Sequence, residues 1–200
     1  MPQNNILVTI AIVTRNRRNL LAKAIRSVLE QTHSPLECVV VDNSSQDDTV
    51  EMIERNWPDI KVIRLSRNIG CQPGRNIAMA NCRGRYVFNL DDDGALDPQA
   101  IERIVSRFES DPMLGVIDCW TPALESSKTT ASECYSMKER WIANFHGGAS
   151  AVRMSIIAKT GYFPEFFRGG SEAMLAAYIL ENGYEILFFP KAIMYHPCLL

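Results

Sequence analysis

Residues 83–94 read RGRYVFNLDDDG: an apolar run from Tyr86 to Leu90 that ends in three consecutive carboxylates, Asp91, Asp92 and Asp93. A short apolar run bounded by polar residues reads as a buried strand. Three adjacent carboxylates repel one another, so they either face water or are neutralised. In an extended segment Asp91 and Asp93 share one face while Asp92 points away. Two carboxylates on one face suit a hard divalent cation such as Mg²⁺ or Mn²⁺, which takes further ligands from water and substrate phosphates. The plainer reading is a solvated acidic turn leading into the next helix, because acids favour helix N-termini.

Upstream of this stretch, strand-like and helix-like segments alternate. Residues 6–13 (ILVTIAIV), 36–41 (LECVVV) and 61–66 (KVIRLS) are short apolar runs rich in β-branched side chains, as in strands buried on both faces. Between the first two, RRNLLAKAIRSVLEQ places Leu20, Leu21, Ala24, Ile25, Val28 and Leu29 on one helical stripe. A second helix is expected over about 47–57, ended by Trp57-Pro58, and a third in PGRNIAMANC with Pro73 near its first turn. A fourth is expected over 98–109, capped by Asp97. Strands alternating with helices predict an α/β fold, with a mostly parallel central sheet flanked by helices on both faces.

Ligands of such sheets bind beyond the carboxyl ends of the strands. Four polar clusters fall there: Thr14-Arg15-Asn16, Asp42-Asn43-Ser44, Ser66-Arg67-Asn68 and Asp91-Asp92-Asp93. They should converge on one edge. The later chain adds a strand at 114–120 (LGVIDCW), a polar loop over 121–140 able to act as a lid, GGASAVR at 147–153, a helix near 171–182 and EILFFPKAIMYH at 185–196. Trp120 and Trp141 read as core residues, with sugar stacking as the alternative. Gly147-Gly148 reads either as a turn or as a close approach of backbone to ligand. No repeat or linker divides the 200 residues, so a single domain is expected. It divides into a regularly alternating half over about 1–110 and a less regular half over about 111–200.

A net charge of −2 provides no field for nucleic acid or an anionic membrane, so no nucleic-acid partner is expected. No apolar run is long enough to span a bilayer, and the six cysteines show no CxxC spacing. Reduced, structural cysteines fit a cytoplasmic protein, with any membrane association peripheral and at the inner face.

The segments TIAIVTRNR, AIRSVLEQT, VVVDNSSQDDT and NIGCQPGRNIAMANCRGRYVFNLDDDGALDP together resemble the nucleotide-sugar half of a family-2 glycosyltransferase. The later GYFPEFFRGGSEAMLAAYILENGYEI and the terminal YH are similar to its acceptor half. The resemblance implies the GT-A fold, a Rossmann-like sheet. It also implies an inverting transfer from a nucleotide-diphosphate sugar, UDP- or dTDP-linked, to a saccharide, lipid-linked or other hydroxyl acceptor. On this resemblance Thr14, Asn16 and Asp42 line the base pocket, and Arg75 faces the nucleotide and its phosphates. Asp91 lies toward ribose or metal, Asp93 is the main ligand of Mn²⁺ or Mg²⁺, and His196 is a third ligand.

Plainer readings stand beside these. Asp42 can simply start a turn, Arg75 can pair with a surface carboxylate, and His196 can be a polar strand end. The chain also departs from the family pattern. Where the family has EDxDL it has Ser171-Glu172-Ala173-Met174-Leu175, leaving Glu172 as the expected base, and Asn43 replaces an acid. Two other functions remain as alternatives, a non-catalytic nucleotide-sugar-binding module and a nucleotidyltransferase. The glycine-free VTRNRRN after the first strand argues against the second of these.

Overall fold

The computed structural model describes residues 5–122, 136–165 and 170–196. Apolar residues along β1 (Val8–Thr14) alternate between two cores, as period-2 geometry requires. Val8, Ile10 and Ile12 pack under α1 (Arg18–Leu29), α2 (Thr49–Asn56) and α4 (Ala100–Glu109). Ala11 faces the opposite layer, made by α3 (Cys71–Ala80), α5 (Met154–Thr160) and α6 (Ser171–Glu181). The remaining strands are β2 (Leu36–Asp42), β3 (Lys61–Arg64), β4 (Tyr86–Asp91), β5 (Ala95–Leu96), β6 (Leu114–Trp120), β7 (Arg140–Trp141), β8 (Ala149–Arg153) and β9 (Glu185–Tyr195).

One mixed sheet results, in the order β3-β2-β1-β4-β8-β6-β9-β5, with β7 also paired to β9. Its first four strands are parallel, as is the β6–β9 pair. The α/β fold with a mostly parallel sheet and helices on both faces is therefore as the sequence implies. The antiparallel insertion of β8 between β4 and β6 is an addition. It matters for the site, because it brings the Gly148 carbonyl to the Asp91 N–H at 3.0 Å.

Buried Arg153 ties the two halves of the sheet together. Its guanidinium donates to the carbonyls of Phe108, Asp111 and Leu114 at 2.8–2.9 Å and to the Tyr86 hydroxyl at 3.2 Å. The Tyr86 and Phe108 rings beneath it stack at 4.4 Å.

Three local expectations are corrected. Leu29 is 59% exposed, while Ser27 turns inward and its Oγ receives the Leu96 N–H at 3.0 Å. Helix α4 starts at Ala100, and Asp97 serves the turn before it by accepting the Gln99 N–H at 3.1 Å. Trp141 is exposed rather than core, with the Arg107 guanidinium 5.9 Å from its ring centre; Trp120 is half-buried.

Cys38, Cys71, Cys82 and Cys119 are free thiols. Burial pushes Cys38 and Cys82 up to about 12, so both are inert packing residues, whereas Cys71 is exposed. Cys134, Cys198 and most of the expected lid (123–135) lie outside the described residues. No described helix is long and apolar enough to cross a membrane.

Candidate active site

Strand register decides which polar clusters meet. Thr14 pairs with Asp42, and Val13 with Asp91, so the carboxyl ends of β1, β2 and β4 finish level. Two residues just past these ends, Asn16 and Ser44, adopt positive φ angles of 55° and 65°. Non-glycine residues hold such angles only when their surroundings impose them. Here Asn16 Oδ1 accepts the Gln46 N–H at 2.7 Å, and the Asn16 N–H donates to Ser45 Oγ at 2.9 Å, locking the two loops together. Asp42 is buried and accepts the Ser45 N–H. Asn43 ties in the third cluster, donating to the Gly70 carbonyl at 3.0 Å and accepting the Ile69 N–H at 2.9 Å. An aspartate there could accept but not donate, which is a physical reason for Asn43.

These loops surround a cavity of about 610 Å³ whose lining includes Thr14, Arg15, Arg17, Asn68, Arg75 and His196, with Asp91, Asp92 and Asp93 at its floor. Asn16 and Asp42 are not among the lining residues. Both hold the loops that form it.

Asp92 parts from Asp91 and Asp93, but through a turn and not through the strand alternation that the sequence suggests. β4 ends at Asp91, and Asp92 and Asp93 belong to the turn that follows. Asp92 turns inward, accepting the Thr14 hydroxyl at 2.8 Å and Arg17 at 3.1 Å. Burial raises the Asp92 carboxyl above its usual range, against the Thr14 hydrogen bond and the Arg17 charge, which lower it. Asp93 meets Arg17 at 2.9 Å and His196 Nε2 at 3.1 Å. The ligand atoms of Asp91, Asp93 and His196 all lie within 4.8 Å of one another. Two carboxylates and one imidazole, with room for water and phosphate oxygens, fit Mn²⁺ or Mg²⁺.

Arg75 bridges this group to the far side of the cleft. Its guanidinium lies 2.6 Å from Asp91 Oδ1 and 3.5 Å from Glu172 Oε1. Gln72 donates to the same Glu172 oxygen at 3.0 Å, and Ser171 Oγ donates to the other at 3.2 Å. Glu172 stands in the first turn of α6. Gly147 and Gly148 fit between these groups because they carry no side chain. A Cβ on Gly147 would come within 2.6 Å of Glu172 and Arg75, and one on Gly148 within 2.1 Å of the Asp91 carboxylate.

Thus Thr14, Arg75, Asp91, Asp93 and His196 converge on one cavity and Glu172 reaches it through Arg75. Sequence reasoning missed Arg17, one of three arginines in VTRNRRN, as well as Gln72 and the pair Asp118–His146. The last had one visible signal, a carboxylate inside the apolar strand LGVIDCW.

The model of Glycosyl transferase family 2 matches residues 9–180. Chondroitin synthase of Escherichia coli is 31% identical over 113 residues, covering 56% of this chain and 16% of that protein. Among solved structures, S. aureus TarS in complex with UDP superposes with a TM-score of 0.79 at 17% identity, covering 96% of this chain and 60% of that one. A mannosyltransferase of Pyrobaculum calidifontis, solved with GDP-Man and Mn²⁺, gives a TM-score of 0.76 at 23% identity, covering 94% and 56%. The chain thus spans only part of its relatives' length, while the fold is shared almost from end to end. Through that match and this sheet, the chain belongs to glycosyltransferase family 2.

Proposed function

We propose that this chain is the donor-binding catalytic domain of a metal-dependent, inverting glycosyltransferase. It moves a sugar from a nucleotide-diphosphate donor, UDP- or dTDP-linked, to an acceptor hydroxyl. One observation carries the reading: Asp91, Asp93 and His196 bring their ligand atoms within 4.8 Å of one another at the carboxyl edge of the sheet. That TarS was solved with UDP, and the mannosyltransferase with GDP-Man and Mn²⁺, supports both donor class and cation. The likeness to chondroitin synthase supports polysaccharide assembly as the setting. A cytoplasmic location, with membrane contact only peripheral, completes the proposal.

Asp91, Asp93 and His196 would hold the cation, which when bound supplies Lewis-acid stabilisation of the charge on the departing diphosphate. Arg15, Arg17 and Arg75 border the same cavity and offer guanidinium donors to phosphate oxygens. Glu172 acts as general base. The acceptor oxygen bonds to the anomeric carbon, and the bond from that carbon to the diphosphate oxygen breaks, its electron pair leaving with the diphosphate. The hydroxyl proton passes to Glu172, a contribution of about 10²–10⁴-fold. One in-line displacement inverts the anomeric centre.

Calorimetry with UDP, dTDP and GDP, each with and without Mn²⁺, tests the reading. Binding of one nucleotide that needs Mn²⁺, and is weakened in Asp93→Asn, is the expected result; affinity indifferent to both would sink it. A non-catalytic binding module is favoured by one feature, the loss of two acids around Glu172. It is distinguished by turnover, because Glu172→Gln should bind nucleotide yet lose transfer.

A further inference from the structure

Asp118 lies near the end of β6, on the face toward α3 and α6, while its neighbours Ile117 and Cys119 join the opposite core. It is 3% exposed, and a carboxylate so placed needs partners. Among the described residues, His146 supplies them. The His146 N–H donates to Asp118 Oδ1 at 2.8 Å, and His146 Nδ1 lies 3.0 and 3.2 Å from the two carboxylate oxygens. The imidazole itself is 68% exposed. With Nδ1 turned to Asp118, Nε2 is left as the free hydrogen-bonding atom of the ring, and Asp118 fixes its direction.

The chain runs from His146 directly into Gly147, pressed against Glu172 and Arg75, and Gly148, pressed against Asp91. His146 is not among the residues that line the 610 Å³ cavity and adjoins the site through Gly147, next to Glu172. The Asp118 hydrogen bond is the main cause of a raised imidazole pKa; partial burial opposes it, and the charges of Asp118, Asp91 and Glu172 add to it. Behind the pair, fully buried Ser150 and Asn89 continue a polar row across β8 and β4 in register with Asp118. Their side-chain atoms find no hydrogen-bond partner among the described residues, so this end of the sheet is a polar layer and not sealed apolar core.

We propose that Asp118 and His146 form an acceptor-orienting pair. His146 Nε2 hydrogen-bonds to a hydroxyl of the saccharide acceptor, holding that ring on the Glu172 side of the cleft, and Asp118 is the positioning residue for the imidazole. The proposal rests on the glycosyl-transfer reading above and deepens it. Because the buried Asp118 carboxylate already pairs with the imidazole, the acceptor group received there is a neutral hydroxyl and not a carboxylate or phosphate.

The chain contains three histidines, so ¹⁵N-histidine labelling yields a spectrum in which His146 is assigned by substitution. Methyl glycosides of glucose, galactose, mannose, N-acetylglucosamine and glucuronic acid are titrated into the labelled protein without donor. A neutral glycoside should shift the His146 ring nitrogens and leave His33 in place. With that glycoside as acceptor, His146→Ala should raise the acceptor KM about tenfold, the worth of one hydrogen bond, while the donor KM stays near the wild-type value. His146→Gln, whose amide can replace Nε2, should recover part of the loss, and Asp118→Asn should fall between. The proposal is overturned if no glycoside moves His146, if only the glucuronide does, or if His146→Ala leaves the acceptor KM unchanged or raises both KM values together. Failure of the wild type to bind any nucleotide with Mn²⁺ would sink the glycosyl-transfer reading instead, and the donor-free titration keeps the two results apart.

Discussion

Arg75 Nη2 stands 2.6 Å from Asp91 Oδ1, and the same guanidinium reaches Glu172 on α6 at 3.5 Å. One buried cation thus joins an acid of the proposed metal group to the proposed base. Two separate nitrogens make the two contacts, which a lysine ammonium cannot imitate. Arg75→Met should destabilise the fold by about 1–2 kcal/mol, less than for a fully buried pair because the acids are partly solvated. Arg75→Lys should restore under half of that. Urea unfolding of the three proteins checks this, and equal midpoints would exclude the bridge as a stabilising contact.

Arg153 makes a different prediction, about stability alone. It is 7% exposed and satisfies three backbone carbonyls and the Tyr86 hydroxyl. Removing it strands buried acceptors and uncovers the stacked Tyr86 and Phe108 rings. Arg153→Ala should cost about 3 kcal/mol or more and should not alter the Mn²⁺ requirement for nucleotide binding in the protein that remains folded. A thermal midpoint matching the wild type would refute it.

The strands and the convergence of their polar ends were legible because both depend on local pattern: apolar runs of strand length, and acids or amides at their carboxyl ends. The partners were not. Periodicity says that GGASAVR is a strand, but not that it enters antiparallel between β4 and β6, which is what sets Gly148 against Asp91. His146 pairs with Asp118 across 28 residues, a separation that carries no spacing signal. Leu29 fits the apolar stripe of α1 by its angle, yet at the helix end it is left mostly exposed, while Ser27 turns inward to satisfy the backbone N–H of Leu96.

Glu37 provides a pH test. Burial raises its pKa, but the Thr9 hydroxyl, the Arg83 backbone N–H and the Arg83 guanidinium outweigh burial and hold it below the usual glutamate range. A carboxyl lowered in the folded state contributes stability above its unfolded pKa and loses it as pH falls through the folded one. Glu37→Gln should therefore be less stable than wild type at pH 7, with the gap closing once the solution falls below the glutamate range, near pH 3. Unfolding curves at both values decide it; a gap that is constant with pH would mean that the charge of Glu37 contributes nothing.

Gly148 separates geometry from charge at the site. It lies next to β8, with its carbonyl on the Asp91 N–H at 3.0 Å, and an added Cβ would sit 1.9–2.1 Å from the Asp91 carboxylate. That overlap is with the end of a side chain, so Asp91 can swing away and the sheet can persist. Gly148→Ala should then fold, with a stability loss of about 1–2 kcal/mol, but Asp91 would leave its place beside Asp93 and His196. Mn²⁺-dependent nucleotide affinity should fall tenfold or more, about 1.4 kcal/mol, although no charge has changed. Gly161→Ala is the control: its φ is +89°, so it strains the backbone, but nothing lies within 4 Å of its added Cβ. If calorimetry shows equal Mn²⁺-dependent affinity in Gly148→Ala and wild type, Asp91 is not a ligand whose position matters, and the metal group reduces to Asp93 and His196.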